Sequence, residues 1–164
     1  MKRGAVKTLA VTALLLGAAL LWALLGQAEG RTAGAYIRGG GTTMVEGGTG
    51  APSFTPLITK VAFQWRGGEG SFECLALAPS ASAGSPGSGD FDTNVMYVTG
   101  EITSGRISGN AAVLRGAATV TGVGAGSNRP FTVTVRRGGP GATLVLVVSG
   151  LTFEEILLEG QFRF

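Results

Sequence analysis

Between residues 94 and 164, apolar side chains recur at every second position in short runs. Phe131, Val133 and Val135 alternate with Thr132, Thr134 and Arg136, and Met96, Val98, Gly100 and Ile102 alternate with Tyr97, Thr99 and Glu101. Ala112, Leu114, Gly116, Ala118 and Val120 form a third such series. A period of two is the period of a strand with one face buried. The runs are separated by turns of Gly, Ser, Asn and Pro, so the pattern specifies a small antiparallel β domain. The expected fold is all-β: a small antiparallel β-sandwich or partly closed barrel of about eight strands, preceded by an N-terminal signal helix.

The first half of the chain supplies the remaining strands. Val61, Phe63 and Trp65 share one face of a run that turns at Arg66-Gly67-Gly68-Glu69-Gly70 and returns along residues 71–77, which is a hairpin. Ahead of it, Gly39-Gly40-Gly41 leads into a short strand from Thr42 to Val45, and residues 29–41 read as a flexible, glycine-rich leader. Residues 79–92 are nearly all Ser, Ala, Gly and Pro, too poor in apolar bulk to offset the entropy of ordering, so a mobile loop is expected there. Thr103-Ser104-Gly105 reads as a turn before a separate short strand at 106–108. Leu144 to Val148 is apolar on both faces, as in a central strand. Near the end, Thr152-Phe153-Glu154-Glu155 fits a helix capping box, whereas Phe162 and Phe164 flank Arg163 in strand register. Strand from residue 156 to 164 is favoured, with a helical turn at 152–157 as the alternative.

The N-terminus carries an address. Lys2, Arg3 and Lys7 precede an apolar run over residues 9–25, and Gly26-Gln27-Ala28 supplies small residues for cleavage between Ala28 and Glu29. The reading is a general secretory signal peptide at 1–28, then the leader, then one β domain over 42–164. The rival is an uncleaved anchor, since the run approaches the roughly 17–25 residues that span a bilayer. No cysteine lies near the cleavage site to accept lipid, and there is no twin-arginine pair.

Removing the signal changes the electrostatics. Three of the 13 basic residues belong to it, so the remaining ten balance the ten acidic residues and the mature chain is neutral. A neutral chain with scattered arginines lacks the footprint of a nucleic-acid binder, and no polybasic cluster is present for anionic lipid. The membrane is therefore expected as a partner only through an uncleaved signal segment. Cys74 is the single cysteine, set among Phe72, Leu75 and Leu77, and reads as a small buried hydrophobe; the other possibility is a disulfide between chains.

Histidine is absent. Triads built on Ser-His or Cys-His and zinc sites of the Cys/His type are thereby excluded. Among carboxylates, Glu154 and Glu155 fall on opposite faces of a strand, and all the glutamates read as solvated surface charge rather than a hydrolytic pair. Gly122-Val123-Gly124 lacks the following helix that a dinucleotide loop needs, because Pro130 and a strand follow. Asp90 and Asp92, with Ser85 and Ser88 nearby, are a weak calcium candidate, supplying two carboxylates where calcium takes six to eight oxygens. No catalytic residue, metal or cofactor is otherwise expected.

Several features stand in the same order as in the post-COAP domains of secreted bacterial proteins. They are Gly39-Gly40-Gly41, Val61-Ala62-Phe63 with Gly70-Ser71-Phe72-Glu73-Cys74, the Ser108-Gly109-Asn110-Ala111 turn, Gly116, the strand from Phe131 to Val135, and Gly139-Pro140-Gly141. The chain resembles that family over residues 36–164. The resemblance implies a compact antiparallel β fold on an exported protein, with no catalytic residues to carry over. Ala142-Thr143-Leu144 stands where family members often have an aspartate after the Pro-Gly turn.

The expected function is an exported non-catalytic β module with a binding or structural role, secreted, periplasmic or at the cell surface through the general secretory route. Its partner would be an envelope or extracellular protein or polymer, met through loops, above all 79–92, or by strand addition at a sheet edge. A self-associating surface or matrix protein and a membrane-anchored form are the alternatives. Trp65 reads as core, which leaves Tyr36 and Tyr97 as a thin aromatic platform for a glycan.

Overall fold

A computed structural model describes residues 35–51, 56–81, 84–86 and 89–164. The expected signal helix, its cleavage point at Ala28 and Glu29 and the first part of the leader lie outside the described residues. Eight antiparallel strands follow one another: β1 (Tyr36–Gly47), β2 (Ile58–Arg66), β3 (Glu69–Pro79), β4 (Phe91–Ser108), β5 (Ala111–Gly122), β6 (Gly126–Arg136), β7 (Thr143–Val148) and β8 (Leu151–Arg163). Each pairs with its neighbour in the chain, and β1 also pairs with β8, which closes the sheet into a barrel. No helix in the described part is long and apolar enough to cross a membrane.

Of the two expected architectures, sandwich and partly closed barrel, the fold is the barrel, and its closure is complete; the cause lies in how large and small residues face one another. Gly39 on β1 lies between Phe63 on β2 and Phe162 on β8 in the register. A Cβ at Gly39 would stand 2.5 Å from Phe63 and 2.6 Å from Phe162, whose rings are 5.5 Å apart inside the barrel. Across the interior, Phe72 stacks on Phe131 at 5.1 Å, and these rings are register partners of Gly100 and Gly116. Aromatic rings thus fill the space that glycines leave open, as an eight-stranded barrel whose interior is just wide enough for side chains requires. Residues 36–41, expected in the leader, are strand for this reason: the glycines are in the wall because rings need the room.

Other boundaries shift as well. Residues 103–105 are not a turn; a bulge between Ile102 and Ser104 lets β4 continue to Ser108 while keeping its pairing with β5. Residues 152–157 are strand within β8, which pairs with β7 from Leu151 to Ile156. The expected loop at 79–92 is shorter, since Pro79 pairs with Phe91 and the Ser80 amide donates to the Asp90 carbonyl at 3.1 Å. On β7, Leu144, Leu146 and Val148 are buried but Val147 is 39% exposed, so this strand has one covered face and one facing solvent rather than two buried faces. The β2–β3 hairpin forms as expected, with its turn narrowed to Gly67-Gly68 because Arg66 pairs with Glu69, and Val61, Phe63 and Trp65 point inward with Phe72 and Cys74.

Candidate functional site

The interior is packed almost wholly by apolar side chains, and its buried polar residues are Thr43, Thr59 and Glu155. They come from three adjacent strands, β1, β2 and β8, and lie close to Cys74 on β3. Thr43 and Thr59 are register partners, so their hydroxyls face one another inside the wall. Both contact Oε2 of Glu155, Thr59 at 2.6 Å, and the two hydroxyls contact each other. Both threonine hydroxyls donate to the carboxyl.

Burial raises the Glu155 carboxyl above its ordinary range, and the hydrogen bonds from Thr43 and Thr59 only partly offset this. Burial also raises the Cys74 thiol well above its usual value; negative charge on Glu155 would raise it further, and the Thr59 hydrogen bond offsets part. Oε1 of Glu155 and Nε1 of Trp65 are buried without a partner among the described residues. Burial thus disfavours the charged form of both groups and seals them from solvent. Neither group is within reach of a substrate while the barrel is closed.

Glu155 corrects the reading of the glutamates as surface charge. Alternation does place Glu154 and Glu155 on opposite faces, but Glu155 is 3% exposed and faces in. Its partners come from strands 96 and 112 positions away in the chain, so no local signal marked it. Cys74 is buried as expected, which takes its sulfur out of reach of a second chain while the barrel is folded.

The outer wall carries the other constellation. Where β8, β1 and β2 lie side by side, Arg163, Arg38 and Gln64 occupy one row of the register, and Gln161, Gly40 and Ala62 occupy the next. They frame a shallow groove of about 430 Å³ whose floor is the bare backbone of Gly39 and Gly40. Arg163 donates from Nε and Nη2 to Oε1 of Gln161, the first at 2.6 Å. The Arg38 guanidinium lies 5.1 Å from the ring centre of Tyr36, which stands exposed at the end of the groove.

No protein family, curated protein or solved structure matches the chain. Asp90 and Asp92 are exposed, Asp90 at the close of the loop and Asp92 on β4, and no group of three or more acidic, cysteine or histidine side chains placed to hold a metal ion occurs among the described residues. Tyr36 and Tyr97 do not form a common platform, since they stand on β1 and β4, separated by two intervening strands. Strand addition at an edge loses its footing in a sheet whose first and last strands pair. The groove was not foreseen, because its two arginines are 125 positions apart in the numbering and meet only through the β1–β8 register.

Proposed function

We propose that this chain is an exported, non-catalytic β-barrel module that binds a component of the cell envelope or its surroundings through the outer wall. One observation carries the reading. The interior is filled by side chains, with its ionisable groups sealed and their charged forms disfavoured by burial, whereas the groups suited to recognition stand outside on rigid strands. Rigid elements hold recognition groups more accurately than loops do. The basic cluster, apolar run and small-residue site at the N-terminus support export, and the order of turns and strands shared with post-COAP domains supports a module without an active site.

The test pairs fractionation with retention. Expressed in a bacterial host, the chain should leave the cytoplasm and begin at Glu29 when its N-terminus is sequenced. The purified mature protein should then be retained, saturably, on isolated envelopes. A chain that stays in the cytoplasm overturns the export part, and failure of retention on envelopes overturns the binding part. A chain found intact in the membrane fraction replaces cleavage by anchoring.

A further inference from the structure

Arg38 and Arg163 are direct register partners across the seam between β1 and β8, both on the solvent face. Like charges directly opposite one another destabilise a ladder. Nothing in the fold requires this arrangement, since any polar side chain would serve the outer wall at either position. The two guanidiniums rest on uncharged groups, the Gln161 amide oxygen and the Tyr36 ring. The fork of Arg163 is thus closed on a single neutral acceptor, in the geometry with which arginine takes a carboxylate oxygen.

The surroundings narrow the ligand. Gly40 leaves the wall bare between Gln161 and Ala62, so a ligand can lie against backbone beside both arginines. Gln64 and Gln161 offer amide donors and acceptors, which match hydroxyl groups. Tyr36 offers a flat face at the end of the groove. The groove has no deep apolar pocket to anchor a peptide side chain.

We propose that this groove binds a carboxylate-bearing polysaccharide, with Arg38 and Arg163 together holding the carboxylate and Gln64, Gln161 and Tyr36 contacting the sugar. The inference rests on the reading of the chain as a binding module and names the ligand class for its outer wall. A bound carboxylate lowers the repulsion between the two arginines, so ligand and wall stabilise each other.

Calorimetric titration of the full mature protein with a galacturonate oligomer tests this, with neutral dextran of the same length and poly-glutamate as comparison probes. The galacturonate oligomer should bind, more weakly as salt is raised, and both comparison probes at least about tenfold less tightly. R38Q and R163Q should each weaken galacturonate binding about tenfold or more, whereas R106Q, on β4, should leave it unchanged. Because each groove variant removes a like-charge contact, its thermal transition should be no lower than that of the parent, which separates lost binding from lost folding. Equal binding of dextran, tighter binding of poly-glutamate, unchanged affinity in the R38Q/R163Q double variant, or no galacturonate binding each overturns the proposal. Retention on envelopes without galacturonate binding overturns this ligand assignment alone and leaves the broader reading standing.

Discussion

The hydroxyl of Thr59 lies 2.6 Å from Oε2 of Glu155, two strands away across the wall of a barrel whose interior is otherwise apolar. Burial raises that carboxyl, and an unfolded glutamate ionises at about 4.3. The native state therefore binds the proton more tightly than the unfolded chain does. The stability this confers is complete below the unfolded value and is lost as pH rises toward the raised folded value. Glu155→Gln keeps the shape and the hydrogen-bonding capacity but cannot ionise. Urea unfolding should show the variant gaining on the parent between pH 4 and pH 8, and becoming the more stable at pH 8. Parallel pH profiles for the two proteins would mean that the carboxyl is not held neutral.

Cys74 should behave as a reporter of unfolding. Its sulfur is buried and burial raises its thiol, so almost no thiolate reaches solvent in the native barrel. A thiol reagent added to the native protein should react at the rate set by opening of the barrel, and at full rate in urea. Fast labelling without denaturant would contradict the packing around β3.

The contact between Gly39 and its two phenylalanines predicts a coupled pair of variants. Gly39→Ala would press a methyl onto both rings and should cost about 1–3 kcal/mol of stability. In Phe162→Leu the smaller side chain leaves room, so the added cost of the alanine should shrink by at least about 0.5 kcal/mol in a double-mutant cycle. Strict additivity would show that the methyl and the ring do not meet.

Replacing residues 81–89 by Asn-Gly should leave the barrel intact. The Ser80–Asp90 hydrogen bond already closes the ladder at that end, and a shorter loop lowers closure entropy, for a gain of up to about 1 kcal/mol. Denaturation midpoints check this. Retention on envelopes should survive the change, because the groove on the opposite side of β2 from this loop is untouched; its loss would return the binding role to the loop, as the sequence suggests.

What could be read from the chain follows the reach of each signal. The alternation of Phe131, Val133 and Val135, and the turn between Trp65 and Gly70, are local and correctly give β6 and the β2–β3 hairpin. Full closure was not legible, because it depends on β1 meeting β8, and β1 carries the run Gly39-Gly40-Gly41, whose intrinsic preference points away from strand. Only the rings of Phe63 and Phe162, brought together from distant segments, make glycine the fitting residue at position 39. Glu155 was hidden for the same reason: its own neighbourhood reads as surface, and Thr43 and Thr59 arrive from elsewhere. Arg38 and Arg163 carry no meaning singly and acquire one as a pair.

Seven of the eight ladders join strands that are neighbours in the chain, and the eighth joins the first strand to the last. The hairpins can zip one after another as the polypeptide lengthens, but β1 must wait for β8, the longest-range pairing in the molecule. Until it arrives, the growing sheet is an open ribbon with two free edges and its whole apolar face uncovered, the form most prone to join other ribbons. The vulnerability of this protein is thus a matter of time: the finished barrel has no edge to offer, and the unfinished one has two.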